Sequence, residues 1–404
     1  MSTLDRCPEA ELLVCCARSS KTLEMTSQIT ALLQEDLDWA YLLRMTQRHG
    51  MMPLLYWHLS DACPEAVPKS ILSHLQDRFH ANRLRNLYLS RELLELSHAF
   101  EAHGVPAIPY KGPVLATVAY GDLALREFVD LDILAYERDV ITAGELLTAM
   151  GYQPEYSMSK AQEAAFLRYE RQYVYVRDDG SMVELHWAPA PRYIPYPPDL
   201  ECLWSRIVRV PLGGDTVPTF SPEDLLLILC VHGSVHSWER LSWICDVAEL
   251  LRASEGMDFE RLIEWASASN SKRMLLLGLF LANDLLNANL TEKLLREAHA
   301  DAVVRALAQE VREQLFLEDP SPRGVLEGSA FKRFHFRMIE RPADKLRYCV
   351  RRTTAPTLKD WALMPLPAPF FPCYRLLRPI RLTGRFMLRL AKRYLWQKES
   401  LAVE

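Results

Sequence analysis

Residues 126–136 read REFVDLDILAY, and this stretch decides the fold that we predict for the chain. Its apolar residues predict a buried β-strand. Because successive side chains of a strand point to opposite faces, Val129, Leu131 and Ile133 are expected on one face and Asp130 and Asp132 on the other. Two carboxylates on one face repel each other unless a positive charge lies between them. The stretch therefore predicts a strand that presents a pair of acidic side chains to a cation.

Short runs of strand and helix character surround this stretch. The segment VPAIPY (105–110) leads into the turn and helix KGPVLATVAYG (111–121), and DVITAGELLTAMG (139–151) predicts a second helix. The segment QYVYVRDDGSMVELHW (172–187) has two alternating runs on either side of an Asp-Gly pair, which is a strong hairpin signal. Together these segments predict a small α+β unit.

Apolar residues at helical spacing fill residues 1–100 and return from SPEDLLLILCVHG (221–233) to about residue 317. We therefore predict an α+β fold in which a small mixed sheet is embedded in helical N- and C-terminal regions. The predicted organisation is an N-terminal helical region at 1–100, a core at 101–215, a helical domain at 216–320 and a basic C-terminal extension at 321–404.

The composition is that of an ordinary globular protein of 404 residues, with 49% hydrophobic and 25% charged residues. Its nine cysteines show no C-x-x-C spacing, which favours reduced thiols in a cytoplasmic protein over a disulfide framework or zinc ribbon. The longest apolar runs are far below the roughly 20 residues that a membrane-spanning helix needs. We find no pattern of a secretory signal at the N-terminus. The expected location is cytoplasmic.

Charge is distributed unevenly along the chain. Residues 331–398 contain 17 lysine and arginine residues against three acidic residues, a net charge of +14, whereas the remainder carries −19. Basic and apolar residues alternate there in a helix-like pattern, as expected for a helix on an anionic membrane or an arm that contacts RNA. A helix packed on the acidic body is the third interpretation. The first interpretation, a helix on an anionic membrane, implies peripheral attachment to the inner face of the membrane.

The acidic pair suggests metal chemistry. Carboxylates two residues apart on a strand can converge on divalent cations, and Mg²⁺ prefers carboxylate and phosphate oxygens. In MVELHW, Glu184 and His186 share one strand face, so Glu184 is the candidate third carboxylate. Lys111 and Gly112 lie where a strand gives way to a helix, a place where a phosphate can approach the backbone.

The order of these elements resembles the minimal nucleotidyltransferase core of the DNA polymerase β-like superfamily. Within it, the chain resembles a poorly characterised bacterial nucleotidyltransferase family, some of whose relatives occur in exopolysaccharide contexts. That family shows a KG turn, an Arg before a D-[IL]-D strand, a later [DE]-L-H-W strand and a helical HG…H-W-x-R-L-x-W-x-x-D segment. The matching residues here are Lys111, Gly112, Arg126, Asp130, Asp132, Glu184, Leu185, His186, Trp187, His232, Gly233, His236, Trp238, Arg240, Leu241, Trp243 and Asp246.

The resemblance implies a Mg²⁺-dependent transferase, with Mn²⁺ as the alternative ion, that moves NMP from an NTP such as ATP to an acceptor hydroxyl or phosphate. The acceptor class stays open between an RNA end, a sugar phosphate, a small molecule and a protein. The resemblance implies catalytic and metal-binding roles for Asp130, Asp132 and Glu184, and nucleotide-binding roles for Lys111, Gly112, Arg126 and His186. Pro113 departs from the Gly-Gly or Gly-Ser turn of the superfamily and removes one backbone donor.

Two other function classes compete with this interpretation. D-x-D also binds nucleotide-sugar diphosphates in metal-dependent glycosyltransferases, and a degenerate transferase domain could act as a scaffold on membrane or nucleic acid. His232 and His236 have helical i, i+4 spacing but lack the Glu of a zinc-protease motif. We interpret them as packing a helix against the core, together with Trp238, Trp243 and Asp246, with Asp246 expected to hydrogen-bond an Arg or His. A nucleobase or acceptor pocket formed partly by His236 and Trp238 is the alternative.

Overall fold

A computed structural model describes residues 7–196, 200–317, 327–364, 366–384 and 387–388. The N-terminal residues 1–6 and, within the predicted basic segment, residues 365, 385, 386 and 389–398 lie outside this description. The helices that precede the sheet are α1 (Pro8–Cys15), α2 (Leu23–Leu32), α3 (Trp39–His49), α4 (Met52–Ala62) and α5 (Lys69–Ala102).

The central sheet has five strands in the order β1-β2-β5-β4-β3, and a separate hairpin has two. Pairs β1–β2, β3–β4 and β4–β5 are antiparallel, whereas β2 and β5 run parallel. The sheet is therefore mixed and the α+β class is confirmed. The strands are β1 (Ala107–Pro109), β2 (Asp130–Ala135), β3 (Gln153–Pro154), β4 (Gln172–Val176), β5 (Met182–His186), β6 (Val208–Leu212) and β7 (Asp215–Thr219).

Helices connect and cover the strands. Those between the strands are α6 (Gly112–Leu115), which continues as a π-helix over Ala116–Tyr120, α7 (Val140–Ala149), α8 (Lys160–Tyr169) and α9 (Leu200–Ser205). After the sheet come α10 (Pro222–Val235), α11 (Leu241–Ala253), α12 (Phe259–Ala268), α13 (Lys272–Leu286), α14 (Glu292–Ala300), α15 (Ala302–Leu315), α16 (Glu327–Met338), α17 (Pro342–Thr354) and α18 (Leu358–Leu363). No described helix is long and apolar enough to cross a membrane.

The two faces of the sheet differ in chemistry. Leu131 and Ile133 on β2, with Val183 and Leu185 on β5, are buried in one apolar cluster with the inner side of α5. Full burial of each such side chain stabilises the fold by about 1.5–3 kcal/mol. The alternate residues face the other way, toward the helices that follow the sheet. The apolar face thus holds the sheet in place, and the opposite face is available for polar groups.

Helix α10 begins as its sequence predicts, since the Ser221 side chain accepts a hydrogen bond from the Asp224 backbone N–H and Pro222 occupies the first turn. At its other end the chain turns back, and Trp238 is fully buried. A Cβ atom added to Gly233 would lie only 2.4 Å from the Trp238 ring, and one added to Gly278 on α13 only 3.1 Å from it. The indole therefore occupies the space that a side chain at Gly233 would need, and at Gly278 it fills this space together with the Cys230 thiol, which would lie 2.5 Å from the added Cβ.

The C-terminal extension packs on the core. Trp361 and Tyr374 are buried in the apolar cluster behind the sheet, and the Asp360 carboxylate pairs with Arg378 and Arg381. The prolines of MPLPAPFFP (364–372) predict an extended connector, but this prediction is wrong for Ala368–Cys373, which forms a 3₁₀-helix. Proline fits the first turn of a helix, where its missing N–H has no partner to lose.

Candidate active site

The polar face of the sheet gathers four side chains from two strands. Asp130 and Asp132 lie on β2, Glu184 and His186 lie on β5, and the parallel register pairs Asp132 with Glu184. Because side chains alternate between the two faces along each strand, all four of these side chains lie on the same face. One ligand atom each of Asp132, Glu184 and His186 lies within 4.8 Å of the other two. The arrangement can hold a metal ion.

Two basic groups contact the Asp132 carboxylate. The Lys111 ammonium donates to Oδ1 at 2.9 Å, and His186 Nε2 lies 3.1 Å from the same oxygen. His186 Nε2 also lies 3.3 Å from Oε2 of Glu184. With its proton on Nε2, the fully buried imidazole joins the two carboxylates and fixes their separation. Among the described residues, these hydrogen bonds to Asp132 use Oδ1 and leave Oδ2 for another cation.

The pKa values of the two aspartates are shifted in opposite directions. Burial raises the pKa of Asp132, but the Lys111 ammonium and the His186 hydrogen bond outweigh burial and hold this pKa well below its usual range. Burial raises the pKa of Asp130 to about 6, and repulsion by Asp132 and Glu184 adds to the effect. Burial also raises the pKa of Glu184, yet the hydrogen bond from His186 leaves it lowered. Asp130 is thus the carboxyl at which burial and the neighbouring carboxylates outweigh the positive charges of Lys111 and Arg126.

Gly112 sets the distance between the turn and strand β2. Its φ is +51°, a conformation that residues with a side chain rarely adopt, and a Cβ there would lie 3.2 Å from the backbone carbonyl oxygen of Asp130. The preceding residue is Lys111, whose ammonium reaches Asp132. The glycine therefore lets the turn lie against β2 close enough for this lysine to reach the acidic face.

Arg126 does not join the acidic side chains directly. Its Nε and Nη2 donate to Oδ1 and Oδ2 of Asp246 on α11 at 2.8 and 2.9 Å, and the Tyr120 hydroxyl donates to Oδ1 at 2.8 Å. This buried bidentate pair ties the loop before β2 to the helical layer. The predicted hydrogen bond between Asp246 and an arginine or histidine is confirmed. The guanidinium still lowers the pKa of Asp130 through its charge.

Histidines of the helical layer lie over the acidic face. The rings of His232 and His236 are 4.6 Å apart, and Trp243 lies 5.5 and 5.1 Å from them. Burial lowers the pKa of His232 well below its usual value, and the Lys111 charge adds to the shift. Burial lowers that of His236 to about 4, with the charges of Arg171 and Lys111 acting in the same direction. The predicted packing of this helix against the core is confirmed.

Sequence reasoning missed Arg171. Its Nη1 lies 3.5 Å from Nδ1 of His186 and donates to the carbonyl oxygen of Pro189 at 3.2 Å. A donor beside Nδ1 favours the tautomer with the proton on Nε2, the atom that faces the carboxylates. The signal was present in the hairpin register, because Gln172 pairs with His186 and places the preceding Arg171 beside it. Lone basic residues next to strands are common, so the pattern alone did not mark it.

A family model described as "Uncharacterised nucleotidyltransferase" matches residues 35–287. Among solved structures, the chain is similar to an antigenic nucleotidyltransferase-like protein from Paracoccidioides brasiliensis, with 16% sequence identity and a TM-score of 0.31. That match covers 50% of this chain and 94% of the other. No curated protein matches the sequence.

Proposed function

This chain belongs to the family of uncharacterised nucleotidyltransferases, and from that premise we propose that it transfers NMP from an NTP to an acceptor hydroxyl or phosphate with Mg²⁺. The observation that carries the proposal is the shared face of Asp130, Asp132 and Glu184. Three carboxylates meet there with one lysine, so the site has an excess of negative charge that a divalent cation would balance, and the cation would in turn bind the phosphate oxygens of an NTP. Family membership favours nucleotidyl transfer over the glycosyltransferase interpretation.

The donor set fits Mg²⁺. Carboxylate oxygens are its preferred protein ligands, and the Oδ2 atom of Asp132, the Asp130 carboxyl and Glu184 provide them. Bound Mg²⁺ would neutralise phosphate oxygens and align the attacking and leaving oxygens. We assign His186 to orienting Asp132 and Glu184 through Nε2–H rather than to ligation, because its Nε2 proton already faces both carboxylates.

The chain's own groups supply the remaining chemistry. We assign Lys111 to the triphosphate, since its ammonium lies at the acidic face and can exchange a carboxylate for a phosphate partner. Glu184, partly open to solvent at its side chain, would accept the proton of the acceptor group or hold the metal on that side. Gly112 would bring the turn close to the phosphates. We keep Arg126 as a source of positive potential that also anchors the loop before β2.

The test is Mg²⁺-dependent binding of a non-hydrolysable NTP analogue, measured by calorimetry on the full chain. We expect Asp130→Asn/Asp132→Asn to lower the affinity by about 100-fold or more, equivalent to roughly 2.7 kcal/mol. The matched control is Asp178→Asn, the same chemical change at an exposed position of the β4–β5 turn, which should bind like the wild type.

Three results would reject the proposal. They are NTP binding that does not require Mg²⁺, binding that the double substitution leaves unchanged, and selective Mg²⁺-dependent binding of a nucleotide sugar in place of NTP. If the first assay succeeds, incubation with labelled NTPs and separate RNA, sugar phosphate and protein acceptors identifies the acceptor class.

A further inference from the structure

The C-terminal extension exposes many large apolar side chains. On α17, Leu346 and Val350 have i, i+4 spacing and are exposed. The pattern recurs in the helical residues 374–384, where Leu376 and Ile380 are 71% and 68% exposed. Between these helices lie three further exposed residues, Leu363, Met364 and Phe370. A soluble monomer seldom exposes so many large apolar side chains within one short segment unless they bind something.

These side chains belong to a folded unit with a defined inner side. The Trp361 ring lies 6.2 Å from Phe371 and 6.4 Å from Tyr374. The Tyr374 hydroxyl donates to the carbonyl oxygen of Met364 and accepts the N–H of Leu366 at 2.9 Å. The inner side is therefore held by aromatic packing and hydrogen bonds. Exposure of the aliphatic residues on the outer side does not come from unfolded chain.

Basic residues accompany the exposed apolar ones. Arg347 and Arg351 are exposed on α17, and Arg375 is exposed directly before Leu376. The surrounding segment 331–398 carries +14, whereas the rest of the chain carries −19. An anionic surface would attract this segment and repel the remainder, so charge alone orients the molecule with the extension toward that surface.

We propose that the outer side of residues 346–380 is a docking face for an anionic membrane surface. Of its seven exposed apolar residues five are aliphatic, one is a methionine and only one is aromatic, which suits insertion between lipid chains, whereas single-stranded RNA is bound mainly by stacking on aromatic side chains. The short helices match a protein that lies on a bilayer rather than one that crosses it. This proposal does not depend on nucleotidyl transfer.

Vesicle co-sedimentation of the full chain tests the proposal. We expect binding to phosphatidylcholine vesicles that contain phosphatidylglycerol, weaker binding to phosphatidylcholine alone, and loss of binding as salt is raised. Leu376→Ser/Ile380→Ser should lower the partition coefficient about ten-fold. The matched control is Leu84→Ser/Leu87→Ser, which replaces two exposed leucines on α5, outside the extension, and should bind like the wild type.

Surface substitutions of this kind leave folding intact, and equal thermal midpoints of the two double variants would establish this. Absence of binding to the anionic vesicles overturns the proposal. Equal losses in the Leu376→Ser/Ile380→Ser variant and the α5 control also overturn it, because the extension would then have no special part. Selective binding of single-stranded RNA without vesicle binding would assign the face to nucleic acid instead.

Discussion

At the scale of single residues, Asp130 and Asp132 are chemically identical and two positions apart, yet their carboxyl pKa values shift in opposite directions. The difference comes from Lys111 and His186, whose hydrogen bonds go to Asp132 and not to Asp130. Asp132 is therefore ionised throughout the neutral and mildly acidic range. Asp130, with a pKa raised to about 6 by burial and repulsion, is the carboxyl that a change of pH or a cation can alter.

This difference predicts a pH dependence of metal binding. Asp130 must be ionised to bind a cation, so metal affinity should fall as pH drops through about 6. At pH 5.5 we expect an affinity about four-fold below that at pH 7.5. Titration with Mg²⁺ or Mn²⁺ at both pH values measures it, and Asp130→Asn should abolish the difference. Equal affinities in the wild type at the two pH values would contradict the assignment.

The residue pattern predicts the shared face of Glu184 and His186, and the structure has this arrangement. Strand alternation requires only local sequence, which is why this part of the site was predictable. The same alternation places Val129 on the buried face, but β2 begins one residue later and Val129 is 47% exposed. Strand ends depend on the neighbouring strand, which a local pattern does not contain. The catalytic and binding roles of these residues stay predictions.

At the scale of an element, the turn before α6 depends on its glycine in two ways. Gly112 has a positive φ, and its Cβ position is close to the carbonyl of Asp130. Gly121, at the other end of the same helical segment, has a φ of +71° but open space around its Cβ position. A comparison of the two glycines therefore distinguishes the effect of backbone strain from the effect of contact with β2.

We predict that Gly121→Ala destabilises the protein by about 1–2 kcal/mol through backbone strain alone. Gly112→Ala should cost more, because the added methyl pushes against β2, and it should also weaken Mg²⁺-dependent nucleotide binding. Urea unfolding gives the stability difference, and calorimetry gives the affinity. Equal effects of the two substitutions on both quantities would show that the turn does not position the acidic strand.

Elements were predictable where local chemistry specifies them. The Asp179–Gly180 hairpin and the Ser221 helix start both follow from short-range rules, and both are present. The connection through Ala116–Tyr120 is a helix as predicted, but its π-helical form has no short-range signature here. Pairing of Arg126 with Asp246 spans 120 positions in sequence. An arginine in a loop and an aspartate in a helix have many possible partners, so only the general expectation for Asp246 could be made.

At the scale of the whole molecule, His49 joins three distant helices. Nδ1 accepts the N–H of Leu241 at the start of α11, and Nε2 donates to the carbonyl oxygen of Leu315 at the end of α15, each at 3.0 Å. The ring is fully buried at the end of α3. Burial lowers the pKa of His49 to about 3, and the Arg48 charge adds to the shift. Protonation would place a proton against the Leu241 N–H.

This contact predicts sensitivity to acid. The pKa of His49 is 6.5 in the unfolded state and about 3 in the folded state. The neutral imidazole therefore stabilises the folded state fully above pH 6.5, and this stabilisation is lost as the pH drops toward 3. Between pH 7.5 and 5 we expect a loss of up to about 2 kcal/mol from this residue. Urea unfolding at both values measures it. The His49→Gln variant should have a lower free energy of unfolding at pH 7.5 than the wild type, but this free energy should fall less between pH 7.5 and 5. His80→Gln, at an exposed position of α5, should show the same dependence of unfolding free energy on pH as the wild type.

The packing of Trp238 against Gly233 restricts which substitutions homologous sequences can have at these two positions. The indole fills the volume that a side chain at position 233 would need, so position 233 cannot gain a side chain while position 238 keeps its indole. A homologue with a larger residue at 233 must have a smaller one at 238. In the segment HGSVHSW (232–238), the glycine and the tryptophan therefore share one volume, and aligned relatives with a larger residue at 233 should also have a smaller one at 238.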